Sequence, residues 1–78
     1  ARQPHIVYSP WTGQLTVAVL LGEDVRVGRT LALVDRRRIM CPISGTITAI
    51  YESSGLIRTG QRMLEIEISE ELRRNLLK

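Results

Sequence analysis

The sequence predicts an all-β domain, a closed sandwich with pseudo-twofold symmetry, and three observations carry that expectation. The core must be built from Val, Ile and Leu, because the 78 residues include no Phe, one Trp and two Tyr. Such a composition suits strands. The apolar runs are short, alternate in places at period two, and are punctuated by Gly and Pro. The second half also repeats the first, without a gap, at an offset of 32 residues.

Residues 1–5 are polar, contain Pro4, and are expected to form a flexible lead-in. Ile6-Val7-Tyr8 can form a short strand that Pro10 stops. From Gly13 the chain puts Leu15, Val17 and Val19 on one side of a half-buried strand. Gly22-Glu23-Asp24 reads as a turn, Val25-Arg26-Val27 as a short extended piece, and Gly28 as another turn. Residues 30–34 form the next strand. Asp35-Arg36-Arg37-Arg38 then separates the apolar run ending at Val34 from one beginning at Ile39, which reads as a tight hairpin tip.

The second half follows the same plan. The offset matches Pro42 with Pro10, Gly45 with Gly13, Thr48 with Thr16, Arg58 with Arg26 and Gly60 with Gly28. It also matches Ile47, Ile57, Met63, Ile66 and Glu67 with Leu15, Val25, Leu31, Val34 and Asp35. The half-repeats, about 6–35 and 39–68, are each too short to bury an apolar face alone, so they must pack on each other. Within the second copy, Ser53-Ser54-Gly55 reads as a turn, and Glu65 and Glu67 as the outward side of a last strand. Residues 69–78 change pattern. Ser69 can cap a helix with an acidic first turn and a basic end, and Leu72 and Leu76 share a face, so a short C-terminal helix or tail is expected.

Composition narrows the chemistry. The formal charge of +3 comes almost entirely from arginine, and Lys78 is the sole lysine. Nucleic-acid binding would need a broad basic face or aromatic platforms, whereas Trp11, Tyr8 and Tyr51 are dispersed. The one histidine, His5, sits in the expected lead-in, so no histidine-based triad is expected, nor a metal centre. Cys41 cannot form an internal disulfide and reads as a small buried residue. No apolar run approaches the roughly 20 residues that span a bilayer. The chain opens at Ala1 without a methionine, as a processed product or an excised fragment would.

The residues that remain as candidates for contact are Arg36, Arg37 and Arg38 at the tip, for an anion or a partner, and Trp11 as a partner anchor. Three adjacent arginines on an extended backbone alternate in direction and cannot all reach one ligand. A solvated hairpin tip is the simpler account of them.

Four pieces of this sequence together resemble a known family: Ser9-Pro10-Trp11-Thr12-Gly13, Gly22-Glu23-Asp24-Val25-Arg26-Val27-Gly28, Leu31-Ala32-Leu33-Val34, and Cys41-Pro42-Ile43-Ser44-Gly45-Thr46-Ile47. In this order they resemble the biotinyl/lipoyl-like domains, over residues 6–68. The resemblance implies a barrel-sandwich hybrid, a flattened barrel of two four-stranded sheets. Carrier members place a modified lysine at the tip joining the halves. Here that tip is Asp35-Arg36-Arg37-Arg38, and a protonated guanidinium cannot serve as the acylated amine. The resemblance is therefore to the lysine-free branch, with no cofactor attached.

Lysine-free relatives include the membrane-fusion or adaptor proteins of bacterial export systems, where the domain serves ring assembly and a helical hairpin is inserted at this tip. Others are accessory domains of enzymes such as zinc-dependent deacylases. The resemblance implies a non-enzymatic interaction or assembly module, in contact with a protein partner, with other domains of its own polypeptide, or with further copies of itself. A degenerate, unmodified partner in a biotin- or lipoate-dependent complex is the remaining alternative. A membrane surface has only the arginines to recommend it, and bacterial periplasm and cytoplasm are both compatible.

Overall fold

The computed structural model describes residues 4–68, which form eight strands and no helix. The helix or tail expected over 69–78 lies outside the described residues. In chain order the strands are β1 (Pro4–Tyr8), β2 (Gly13–Val17), β3 (Asp24–Val25), β4 (Thr30–Val34), β5 (Arg37–Met40), β6 (Gly45–Ile50), β7 (Ser54–Ile57) and β8 (Arg62–Ile68). They make two four-stranded antiparallel sheets, ordered β1-β8-β6-β3 and β5-β4-β2-β7. The result is the flattened two-sheet barrel-sandwich that the repeat demands.

The internal repeat is a symmetry of the fold. Advancing each strand of the first half to its counterpart (β1 to β5, β2 to β6, β3 to β7, β4 to β8) converts one sheet order into the other. Register follows. Val7 faces Leu64 as Ile39 faces Ala32, Leu15 faces Val34 as Ile47 faces Ile66, and Gly13 faces Ile57 as Gly45 faces Val25. The four aliphatic pairs of the repeat, Leu15/Ile47, Val25/Ile57, Leu31/Met63 and Val34/Ile66, are all at most 2 % exposed and form the centre of the core. Burying an aliphatic side chain of this size is worth about 1.5–3 kcal/mol. Either half alone would leave such a set open on one side.

The repeated Pro-x-x-Gly segments close the corners between the sheets. The Ser9 amide donates to the Gln61 carbonyl (2.9 Å), and the Gly60 amide donates back to Ser9 (2.7 Å). The second copy does the same: Cys41 to Arg29 (2.7 Å) and Gly28 to Cys41 (3.0 Å). Thr12 Oγ1 accepts from the Thr59 amide (3.0 Å) just as Ser44 Oγ accepts from the Val27 amide (3.2 Å). Each accepted amide sits in a turn whose glycine, Gly60 or Gly28, has φ of 85° or 93°, a conformation other residues rarely adopt.

The structure corrects several boundaries. β1 begins at Pro4 rather than Ile6, and His5 pairs with Ile66 instead of lying in a lead-in. Proline fits there because β1 is an edge strand and Pro4 is its first residue. β2 ends at Val17, although Val19 is still buried. Ser54 and Gly55 belong to β7, where Thr16 and Leu15 of β2 hold them in register, so Ser53-Ser54-Gly55 is not a turn. Arg37 and Arg38 lie in β5, and the tip is only Asp35 and Arg36. The symmetry also breaks in β6. Ile47 faces Ile66 but Ala49 faces Glu65, so Thr48 is an extra residue in β6, whereas Thr16 of β2 pairs regularly with Leu33.

Candidate functional site

The site is built from the hairpin of β4 and β5 and from the segment that leads into β2. Val34 faces Arg37, which leaves a two-residue connection. Its first residue, Asp35, has φ of 57°, a left-handed conformation that Asp tolerates better than most residues. Asp35 is also tied down. Its amide donates to the Gln14 carbonyl (2.8 Å), and its Oδ1 accepts from the Gln14 amide (3.0 Å). The carboxylate occupies the space beside Gly13, where any Cβ would meet it. The tip is thus clamped to the start of β2.

The arginines separate from this clamp in three directions. Arg36 is exposed at the tip. Arg37 lays its guanidinium over the Trp11 ring, 5.2 Å from the centroid. Arg38 reaches across its own sheet, and its Nε donates to Thr30 Oγ1 at 2.8 Å. Trp11 is half-buried and packs against the core. It is both an edge plug and a platform for Arg37. The structure therefore brings Trp11 and Arg37 together, while Arg36 and Arg38 face elsewhere. A stacked guanidinium keeps its in-plane N–H groups free for a carboxylate or phosphate.

Charge divides unevenly between the sheets. The strands of the β5-β4-β2-β7 sheet contain Arg37 and Arg38 and no other charged residue. The strands of the opposite sheet carry Asp24, Arg62, Glu65 and Glu67. There Thr46 Oγ1 donates to Asp24 (2.8 Å), Thr48 Oγ1 donates to Glu65 (2.9 Å), and Arg62 stacks over Tyr51 (5.1 Å).

Three features were not anticipated from the sequence. Leu20 and Leu21 stand 75 % and 66 % exposed on a turn whose Glu23 accepts the Leu20 amide (3.0 Å) and pairs with Arg29. The adjacent apolar pair just before Gly22 was a visible signal, since turns rarely favour two leucines. The Arg37–Trp11 stack had no signal, because its partners are far apart in sequence. Cys41 is buried as expected, but its Sγ also donates to the Ile43 carbonyl (3.0 Å). Burial pushes its thiol pKa up, against smaller downward effects of that hydrogen bond and of Arg29. Among the described residues no group of three or more His, Cys, Asp or Glu could hold a metal ion.

No family model matches this chain, and no curated protein matches it either.

Proposed function

We propose that this chain is a non-catalytic module of the biotinyl/lipoyl-like kind, working through protein contacts inside a larger protein or assembly of the membrane-fusion or adaptor type. One observation carries the reading. Where carriers of that kind present a lysine, this chain has a two-residue connection of Asp35 and Arg36, held to Gln14 by two hydrogen bonds. A swinging prosthetic arm needs a primary amine on a projecting tip, and this tip offers a guanidinium on a clamped one. The short connection also leaves no inserted helical hairpin at this tip.

The test is covalent. Incubation with biotin- and lipoate-attaching ligases and their substrates should leave the intact mass of the chain unchanged. A mass gain matching a biotinyl or lipoyl amide would overturn the reading.

A second reading, an accessory domain packed on an enzyme such as a zinc-dependent deacylase, draws support from Leu20 and Leu21, whose exposure suits burial against another domain of the same polypeptide. The two part on the full gene product: a neighbouring domain with zinc ligands favours the second, and flanking helical segments favour the first.

A further inference from the structure

We infer that β5 is a docking edge for an extended acidic polypeptide segment, which adds to the sheet as a further strand. This rests on the interaction-module reading and names the chemistry of the partner.

β5 ends its sheet, with β4 on one flank and, among the described residues, no strand on the other. The bonds that close the barrel at this corner start from Cys41, one residue beyond the strand, so among the described residues nothing is paired to the outer flank of Arg37–Met40. A peptide laid along such a flank gains main-chain hydrogen bonds, and its side chains provide selectivity. The selectivity here is for negative charge. Arg37 and Arg38 are the only charged residues in the strands of this sheet, Arg36 follows at the tip, and the carboxylate of Asp35 is turned inward onto Gln14.

The divergence of the arginines decides between ligands. Arg37 shares a side of β5 with buried Ile39 and stacks on Trp11, while Arg38 shares the other side with exposed Met40. A single phosphate cannot reach both. An extended strand alternates its side chains in the same way, so consecutive acidic residues meet Arg37 on one side and Arg38 on the other. A second copy of this edge would add its own arginines beside these, and that crowding of like charge disfavours self-pairing. The fold also supplies its own comparison. β1 is the symmetry counterpart of β5, ends the opposite sheet, and has His5 and Ile6 where β5 has Arg37 and Arg38. Two equivalent edges thus differ in charge, and β1 also opens with Pro4, which has no amide to donate.

The experiment titrates hexaglutamate, blocked at both ends, into the isotope-labelled chain and follows backbone amide shifts. Saturable shifts centred on Arg37–Met40 are expected, with β1 unmoved. The double variant Arg37→Ser/Arg38→Ser should weaken the apparent affinity about tenfold, and so should methylation of alternate peptide nitrogens in hexaglutamate, which keeps the charge and removes the donors a strand needs. Absence of saturable shifts, shifts centred elsewhere, or equal affinity of the methylated peptide would sink the proposal. So would inorganic phosphate moving the same amides at equal concentration, or binding to phosphatidylglycerol vesicles without binding to hexaglutamate. The ligase assay reads intact mass alone, so failure here leaves the unmodified-module reading standing.

Discussion

Ser9 and Cys41 occupy the same place in the two halves, 32 residues apart, and make the same hydrogen bond. Ser9 Oγ donates to the Trp11 carbonyl (2.6 Å) and Cys41 Sγ to the Ile43 carbonyl (3.0 Å), and each side chain is at most 2 % exposed. Cys41 is therefore the barrel's second corner hydroxyl, written in sulfur. Cys41→Ser should fold with a loss of no more than about 1 kcal/mol, since the donor is kept. Cys41→Ala and Ser9→Ala, which remove the donor to a carbonyl of a partly buried residue, should each cost more, up to about 1.5 kcal/mol. Urea unfolding of the three variants checks the order.

The same thiol gives stability an alkaline limit. Its folded-state pKa is raised by burial, so above about pH 8.5 the unfolded chain loses a proton that the folded chain keeps. The stabilising contribution is complete below that pH and is lost as pH rises towards the folded-state value. Melting temperatures measured from pH 7 upward should fall more steeply for the wild type than for Cys41→Ser. Identical slopes would show that the thiol is not responsible.

Gly13 and Gly45 are symmetry partners that differ in tolerance. A Cβ on Gly45 would lie 2.1 Å from the Glu67 carbonyl oxygen, which is backbone, whereas on Gly13 the nearest group is the Asp35 carboxylate, a side-chain end. Gly45→Ala should therefore cost about 3 kcal/mol or more, as overpacking against a fixed strand does. Gly13→Ala should cost less and be partly rescued by Asp35→Ala in a double-mutant cycle. Equal costs would contradict the difference.

The arginines should matter little to the fold. Arg37 over Trp11 is worth about 0.5–1 kcal/mol at an exposed site, and the Arg38 to Thr30 hydrogen bond is likewise exposed. Replacing Arg36, Arg37 and Arg38 together by Ser should cost no more than about 2 kcal/mol. Circular dichroism melts decide the matter, and a larger loss would make these residues structural rather than available to a partner.

The repeat was legible because the matched positions are large aliphatic residues whose burial fixes the register, as with Leu31 and Met63 or Val34 and Ile66. The clamp on Asp35 and the hydroxyls of Thr12 and Ser44 were not legible, because those residues act on backbone groups brought near only by the folded chain. Pro4 misled in its own way. A proline read as a lead-in is equally at home opening an edge strand, and sequence alone cannot say that β8 waits beside it. The extra residue at Thr48 left no trace either, since a bulge preserves composition and spacing. The divergence of the arginines followed from period two, but the destination of Arg37 needed the geometry of Trp11.

The pairing of Pro4 with Glu67 has a topological consequence. Under the symmetry these two residues stand where Arg36 and Asp35 stand: Asp35 and Arg36 are joined by a peptide bond and form the tip, whereas Pro4 and Glu67 are only cross-strand neighbours. The barrel is in effect a ring of strands with two interchangeable closure points, one of them used by the hairpin. A circularly permuted chain, sealed near Glu67 and Pro4 and opened between Asp35 and Arg36, would thread the same sheets in a new order. It would also release the arginine edge from its tip, so that partner recognition could be studied apart from hairpin closure.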